Sequence, residues 1–413
     1  MKQSFFDIDS TSLKTSQVTY AECNTCGLCR KCNSPKMDVI GEGKSKILVV
    51  TDFPDYQDDL HESRWHGTHS KYLAKLLHEQ RIDVVKDCWH IHAVSCRPAK
   101  GKKPSSRQVG LCRPKVLKAI DDLSPSLIIL AGKLAVESVI GSRWKQNLGS
   151  MHRWRGWKIP DRLYNAYICP IWSPGYVLNK IEDCPVVEQI YTKDITNLLR
   201  CSGRPQEADK GGSSAKDEES CIKSCVNVKE AEMCLKTVLK IRPYKIAFDY
   251  ETTGLKPYAD GHTIVSCSIA TSPISAFAFC LEGNQQVIDL LKEILISRDI
   301  KKIASNLQFE EMWTQQILGI GVKKWLWDTM LMSHILDNRP RISSIKFQYY
   351  VHFGLADYDS HISPMLKSNQ DSANGFNSIF KIPKKELLLY NGMDSLLEYR
   401  IAEKQMMKLK RVS

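Results

Sequence analysis

From residue 21 to about 199 the chain alternates short apolar runs with stretches of helical period. Lys46-Ile47-Leu48-Val49-Val50, Leu127-Ile128-Ile129-Leu130 and Ala166-Tyr167-Ile168-Cys169 read as strands, and residues 71–79 read as a helix. Strands alternating with helices predict a three-layer α/β domain with a mainly parallel sheet. Over residues 201–220 this pattern gives way to a Gly/Ser-rich, charged stretch that includes Gly211-Gly212-Ser213-Ser214, the composition of a flexible linker. A second domain opens at Cys221, with a helix over 229–241, a strand-like run leading to Phe248, another over 302–305, and a long helical run over 384–404. Residues 1–20 are polar and unpatterned and read as a tail. Residues 368–377, polar with Gly375, read as a loop. The predicted organisation is a tail (1–20), an α/β domain (21–200), a linker (201–220) and a second α/β domain (221–413).

A chain of 413 residues suits two or three domains, each long enough to bury a core. The formal charge of +12 points to a polyanionic partner only in company with other signals, because many solvated proteins are basic. No segment approaches a membrane span, and the first ten residues lack the apolar core of a signal peptide, so a cytoplasmic, reducing compartment is expected. There, 15 cysteines argue for a metal site plus buried thiols rather than a disulfide framework.

The candidate chemistry of the second domain begins at Phe248-Asp249-Tyr250-Glu251-Thr252-Thr253-Gly254-Leu255. On a strand, Asp249 and Glu251 project to one face and form a site for a hard divalent cation such as Mg²⁺. Asn306-Leu307-Gln308-Phe309-Glu310 follows a strand-like run, and Tyr390 and Asp394 share a helix face at i and i+4. Hydrolysis of a phosphodiester by two metals about 4 Å apart needs several carboxylates, and it benefits from a hydroxyl to orient water. These motifs, in this order, resemble the DEDD-type 3′–5′ exonucleases of the tyrosine subclass, as found in the proofreading domains of phage family A DNA polymerases. Trp327-Asp328-Thr329-Met330-Leu331, Ser344-Ile345-Lys346-Phe347-Gln348 and Leu387-Leu388-Leu389-Tyr390 extend the likeness over most of 221–413. The resemblance implies an RNase H-like (DnaQ-type) fold and two Mg²⁺ or Mn²⁺ ions. Asp249 would bridge them, Glu251 and Asp394 would complete one, and Glu310 would complete the other. Asn306 and Phe309 would meet the nucleic acid. Glu310 stands where the family has Asp, one methylene shorter, and Asp328 is the alternative ligand.

In the first domain, Cys23, Cys26, Cys29 and Cys32 follow one another at intervals of three, a spacing that suits zinc or an iron–sulfur cluster. Taken with Gly41-Glu42-Gly43, Cys96-Arg97-Pro98, Cys112, Leu130-Ala131-Gly132 and Ser173-Pro174-Gly175-Tyr176, they resemble the iron–sulfur (type 4) uracil-DNA glycosylases. That likeness implies a glycosylase-like fold with a structural [4Fe–4S] cluster on Cys23, Cys26, Cys96 and Cys112. Cys29 and Cys32 are then surplus, and zinc stays open because spacing does not determine the metal. The catalytic motifs depart from the family. Thr51-Asp52-Phe53-Pro54-Asp55 replaces Gly-Glu-Ala/Gly-Pro-Gly, and Ser173-Pro174 replaces His-Pro. His92 stands for an Asn, and Trp65 stands for the uracil-stacking Phe. Losing the histidine that stabilises the departing base predicts that uracil excision is absent. The run His152-Arg153-Trp154-Arg155-Gly156-Trp157-Lys158 is a candidate for strand contact through stacking and phosphate pairing, against the alternative that its tryptophans face the core.

The combined expectation is a 3′–5′ exonuclease acting on a single-stranded or frayed DNA 3′ end, with a glycosylase-like DNA-binding domain. The sequence ends after the last exonuclease helix, which leads to the expectation of a separate DNA polymerase chain as partner. Two other readings are a bifunctional enzyme that excises uracil and trims the strand, and a non-catalytic DNA-binding scaffold.

Overall fold

The computed structural model describes residues 23, 25–61, 65–200, 203–205, 218–281, 283–356, 358–368 and 374–410. The predicted tail, most of the predicted linker and the middle of the 368–377 loop lie outside these residues. The described chain divides into two compact units, 23–205 with 350–356, and 218–349 with 358–410.

The first unit runs β1 (Ile47–Thr51), α1 (Thr68–Glu79), β2 (Cys88–His92), α2 (Ser106–Leu123), β3 (Leu127–Ala131), α3 (Lys133–Val139), β4 (Ile159–Asp161), β5 (Ala166–Ile171) and α4 (Val186–Leu199). Its sheet has the order β2-β1-β3-β5-β4, parallel throughout except for the β4 edge. Ile47 to Val50 and all of β3 are buried, as in central strands covered on both faces, which is why they read as unbroken apolar runs. Leu73, Leu76 and Leu77 of α1 pack with Tyr191 and Ile195 of α4 onto Val49 and Ile129. The helix α2 starts at a capping box in which Ser105 and Gln108 satisfy each other's backbone amides.

The second unit runs β6 (Ile222–Cys225), α5 (Val228–Ile241), β7 (Lys245–Thr252), β8 (Ile264–Ser272), β9 (Ser275–Cys280), α6 (Gln285–Ile296), β10 (Lys301–Ala304), α7 (Leu307–Trp313), β11 (Trp325–Asp328), α8 (Thr329–Leu336), α9 (Ile345–Phe353, of which residues 350–353 count with the first unit) and α10 (Lys384–Leu409). The order β11-β10-β7-β8-β9-β6 places β7 inside the sheet, parallel to β10 and antiparallel to β8. Phe248 and Tyr250 point from β7 into the core beneath α5 and α6. Alternation therefore sends Asp249 and Glu251 to the other face, which α10 covers. From residue 390 to 402 α10 is buried on every side. Gly392 permits its close approach, since a Cβ there would lie 2.4 Å from Cγ2 of Ile222.

Candidate active site and cysteine centre

The strand β7 and the helix α10 bring together residues far apart in the chain. One carboxylate oxygen each from Asp249, Glu251 and Asp394 lie within 4.8 Å of one another, and they are the one such group of three or more possible ligands among the described residues. Asn391, one turn before Asp394, donates its side-chain amide to Oδ2 of Asp249 at 2.8 Å and is itself held by the Ser266 hydroxyl at 3.0 Å. Asp394 accepts a hydrogen bond from the Tyr358 hydroxyl, and the Tyr390 hydroxyl also favours its charged form; the two rings stack with centroids 6.3 Å apart. Lys346 of α9 pairs with Asp359 and sits over both rings.

Burial, with Asp394 alongside, pushes the Asp249 carboxyl well above the usual range, and burial with the Asp249 charge does the same to Glu251. Burial also raises Asp394, opposed by Lys346 and the two tyrosine hydroxyls. Acids crowded in this way are poorly compensated as anions, and a divalent cation is the charge that would compensate them. An all-oxygen donor set fits a hard ion such as Mg²⁺ or Mn²⁺.

Glu310 arrives from the first turn of α7. It is 2% exposed, it lies outside the close trio, and its Oε2 has no hydrogen-bond partner. Burial and Asp249 raise its carboxyl well above the ordinary range. Asp328 is not available as its substitute. Its carboxylate accepts the backbone amides of Asn306, Leu307, Met330 and Leu331 at 2.9–3.1 Å, pinning the start of α7 and capping α8. Asn306 adopts the left-handed conformation (φ 65°) at the N-cap of α7, and Phe309 packs on Trp313. Sequence reasoning missed Tyr358, Asn391 and Glu398. Asn391 and Glu398 carried a signal, standing at i−3 and i+4 from Asp394 on the same helix face, whereas Tyr358 carried none. Lys346 lay in a segment read only for its likeness.

In the first unit, Cys96 and Cys112 form a small core with Leu28, Val94 and Val109, against which Cys26, Cys29 and Cys32 pack. Cys23 and Cys26 act electrostatically on Cys112, and Cys23 also acts on Cys96, so the four expected ligands converge. Cys32 also acts electrostatically on Cys96, and its thiol donates to the Cys29 carbonyl. Burial pushes the Cys96 and Cys112 thiols up. A tetrahedral zinc with bonds of about 2.3 Å would hold its sulfurs about 4 Å apart. Among the described residues no three thiols lie within 4.8 Å of one another. Arg97 anchors this corner by donating to Asp59 at 2.7 Å, and Asp59 also accepts the amides of Asn33 and Ser34.

The glycosylase-motif positions hold structure together. Oδ1 of Asp52 accepts the Leu134 and Ala135 amides at the start of α3, and burial pushes its carboxyl up to about 6. Pro54 is buried. Ser173 caps the short helix Pro174–Leu178 through the Tyr176 amide. His92 and His90 bond the Thr51 hydroxyl at 2.6 and 2.9 Å, and Trp65 (φ 74°) lies on His90 with ring centroids 4.5 Å apart. The expectation that Arg153, Trp154 and Arg155 face a strand is corrected. Trp154 is 1% exposed and donates to the Leu148 carbonyl, and Arg153 is buried over Trp144. Arg155 pairs with Asp194 over Trp172. The short helix Met151–Trp154 turns Trp154 inward, because tryptophan area gains more from the core than from solvent.

Comparison with known proteins follows the two units. Residues 222–410 match the family model for 3′–5′ exonucleases, and residues 38–193 match that of the uracil DNA glycosylase superfamily. A type-4 uracil-DNA glycosylase of Saccharolobus solfataricus is 27% identical over 210 residues, 47% of this chain and 95% of that protein. A DNA polymerase of Bacillus phage SP01 is 23% identical over 388 residues, 90% of this chain but 41% of the polymerase's length. Among solved structures, Brucella melitensis NrnC with bound Mg²⁺ (17% identity, TM-score 0.35) is similar over 46% of this chain and 82% of its own. Escherichia coli RNase D (12% identity, TM-score 0.35) is similar over 46% of this chain and 45% of its own. The N-terminal half thus resembles type-4 uracil-DNA glycosylases, and the C-terminal half resembles the 3′–5′ exonucleases. No helix among the described residues is long and apolar enough to cross a membrane.

Proposed function

We propose that this chain is a metal-dependent 3′–5′ exonuclease acting on DNA, the proofreading part of a phage-type polymerase system working in the host cytoplasm. The observation that carries this reading is the convergence of Asp249, Glu251 and Asp394 within 4.8 Å, with Tyr390 on Asp394. Asp249, Glu251, Glu310 and Asp394 would hold two Mg²⁺ or Mn²⁺ ions. When bound, such ions lower the pKa of water and neutralise charge on the phosphodiester. Tyr390, pinned between Asp394 and the Tyr358 ring, orients the attacking water. Asn391 holds Asp249 through its side-chain amide, and Lys346 favours the charged form of Asp394 against its burial.

The first unit serves this reading as a DNA-holding module, with a [4Fe–4S] cluster on Cys23, Cys26, Cys96 and Cys112. The use of Asp52 and Ser173 as helix caps supports the absence of uracil excision. The test is a 5′-labelled single strand with one internal uracil, incubated with Mg²⁺ and either wild type or Asp249→Ala. A 3′ ladder from wild type alone, with no alkali-labile break at uracil, is expected. A break at uracil would instead establish the bifunctional repair enzyme, and the absence of any ladder would favour the scaffold. A separate polymerase chain is the expected partner, and co-purification without one counts against it.

A further inference from the structure

One more carboxylate faces the cluster. Glu398 lies on α10 four residues after Asp394, so the two project from one helix face a turn apart. It is 0% exposed, and neither of its carboxylate oxygens has a hydrogen bond of ordinary geometry. Only the Ser305 backbone amide favours its charged form, while Asp249, Glu310 and Asp394 all oppose it. Ser305 lies between β10 and α7, so Glu398 sits on the α7 side of the cluster, where Glu310 presents its own buried, unpartnered Oε2.

Counter-charge divides the cluster in two. Lys346 acts on Asp394, Glu251 and Asp249, and Tyr358 donates to Asp394 beside Tyr390. Among the described residues no lysine or arginine bonds Oε2 of Glu310 or either carboxylate oxygen of Glu398. Two buried acids with neither a cation nor a set of donors are costly to keep charged, unless an ion joins them.

We propose that Glu398 is a ligand of the divalent ion held between Asp249 and Glu310, so that five carboxylates rather than four form the centre. This rests on reading the cluster as a metal-dependent nuclease site. Glutamate at both positions gives reach from opposite sides, Glu310 from α7 and Glu398 from α10.

Mn²⁺ titration of the full chain, followed by loss of the free-ion EPR signal, provides the test. Wild type should take up two ions that Asp249→Ala does not. Glu398→Gln and Glu310→Gln should each weaken one of the two by ~10-fold or more and leave the other unchanged. The double variant should be little worse than either alone, as for two ligands of one ion. If Glu398→Gln binds both ions like wild type while Asp249→Ala loses them, Glu398 is a buried structural acid and the proposal fails with the nuclease reading intact. If Asp249→Ala binds like wild type, the nuclease reading itself fails. Should Glu398→Gln not fold, Glu398→Asp decides. It keeps the charge but withdraws it by one methylene, and unchanged affinity for both ions overturns the proposal.

Discussion

The two units treat their motif residues in opposite ways. In the second unit the motif carboxylates are buried close together with few compensating groups. Glu310 and Glu398 have orphaned oxygens, and Asp249 and Glu251 are pushed far above their normal range by burial, with Asp394 acting on the first and Asp249 on the second. In the first unit Asp52 and Ser173, at the corresponding positions, are taken up by the fold itself. Asp52 caps α3, Ser173 caps the next short helix, and Arg153 and Trp154 belong to the core. An unsatisfied buried group is costly and calls for a partner such as an ion or a water, whereas a satisfied one needs no ligand. The same test distinguishes Glu310 from Asp328 within the second unit, since Asp328 has four backbone donors and Glu310 has a bare oxygen.

The largest effect that could break this contrast is at Asp249. Asp249→Ala should reduce 3′–5′ cleavage by ~10³-fold or more, because it removes the carboxylate expected to bridge both ions. Thermal unfolding in chelator should show the variant as stable as wild type or more so, since the change relieves like-charge crowding. Cleavage at the wild-type rate sinks the site assignment.

In the first unit the largest loss should come from structure rather than chemistry. Asp59→Ala leaves Arg97 without its partner and strands the Asn33 and Ser34 amides. It should cost ~3 kcal/mol, by analogy with the breaking of a buried ion pair, and denaturant titration reads the loss. A midpoint unchanged from wild type would show that the cysteine corner is held by other contacts.

A smaller effect is expected from Tyr390→Phe. It keeps the ring stacked on Tyr358 but removes the hydroxyl, so cleavage should slow by ~10- to 100-fold with Mn²⁺ affinity preserved. Slowing that came entirely from lost metal would recast Tyr390 as a support for Asp394.

The smallest effect is a pH dependence at Asp52. Its folded value of about 6 exceeds the ~3.9 of an unfolded chain, so between these values the native state binds more protons. Its contribution to stability is therefore greatest at low pH and falls as pH rises through 6. Asp52→Asn removes this dependence. The Tm difference between variant and wild type should be smallest near pH 4 and should grow by a few degrees by pH 7. A difference independent of pH would mean that Asp52 stays charged throughout.

Much of the architecture was legible in local pattern. The apolar runs at 46–50 and 127–130 are β1 and β3, and the helices expected over 71–79 and 229–241 begin three residues and one residue earlier, at Thr68 and Val228. The pairing of Asp249 with Glu251 and of Tyr390 with Asp394 was readable because side-chain direction on a strand or helix depends only on spacing. Trp154 was misread because an Arg/Trp run has the same composition whether its rings stack on bases or fill a core.

What the sequence determined by itself was therefore whatever repeats at short range: which stretches become strands and helices, which faces carry acids, and which cysteines are spaced to act together. Only the tertiary structure decided which of those faces meet. It laid α10 over β7, brought Tyr358 and Lys346 to Asp394, filled the acceptors of Asp328, and left Glu310 and Glu398 bare. The reason is physical. Periodicity is set by local backbone geometry, whereas desolvation and charge–charge interaction depend on which distant segments the packed core places around a group.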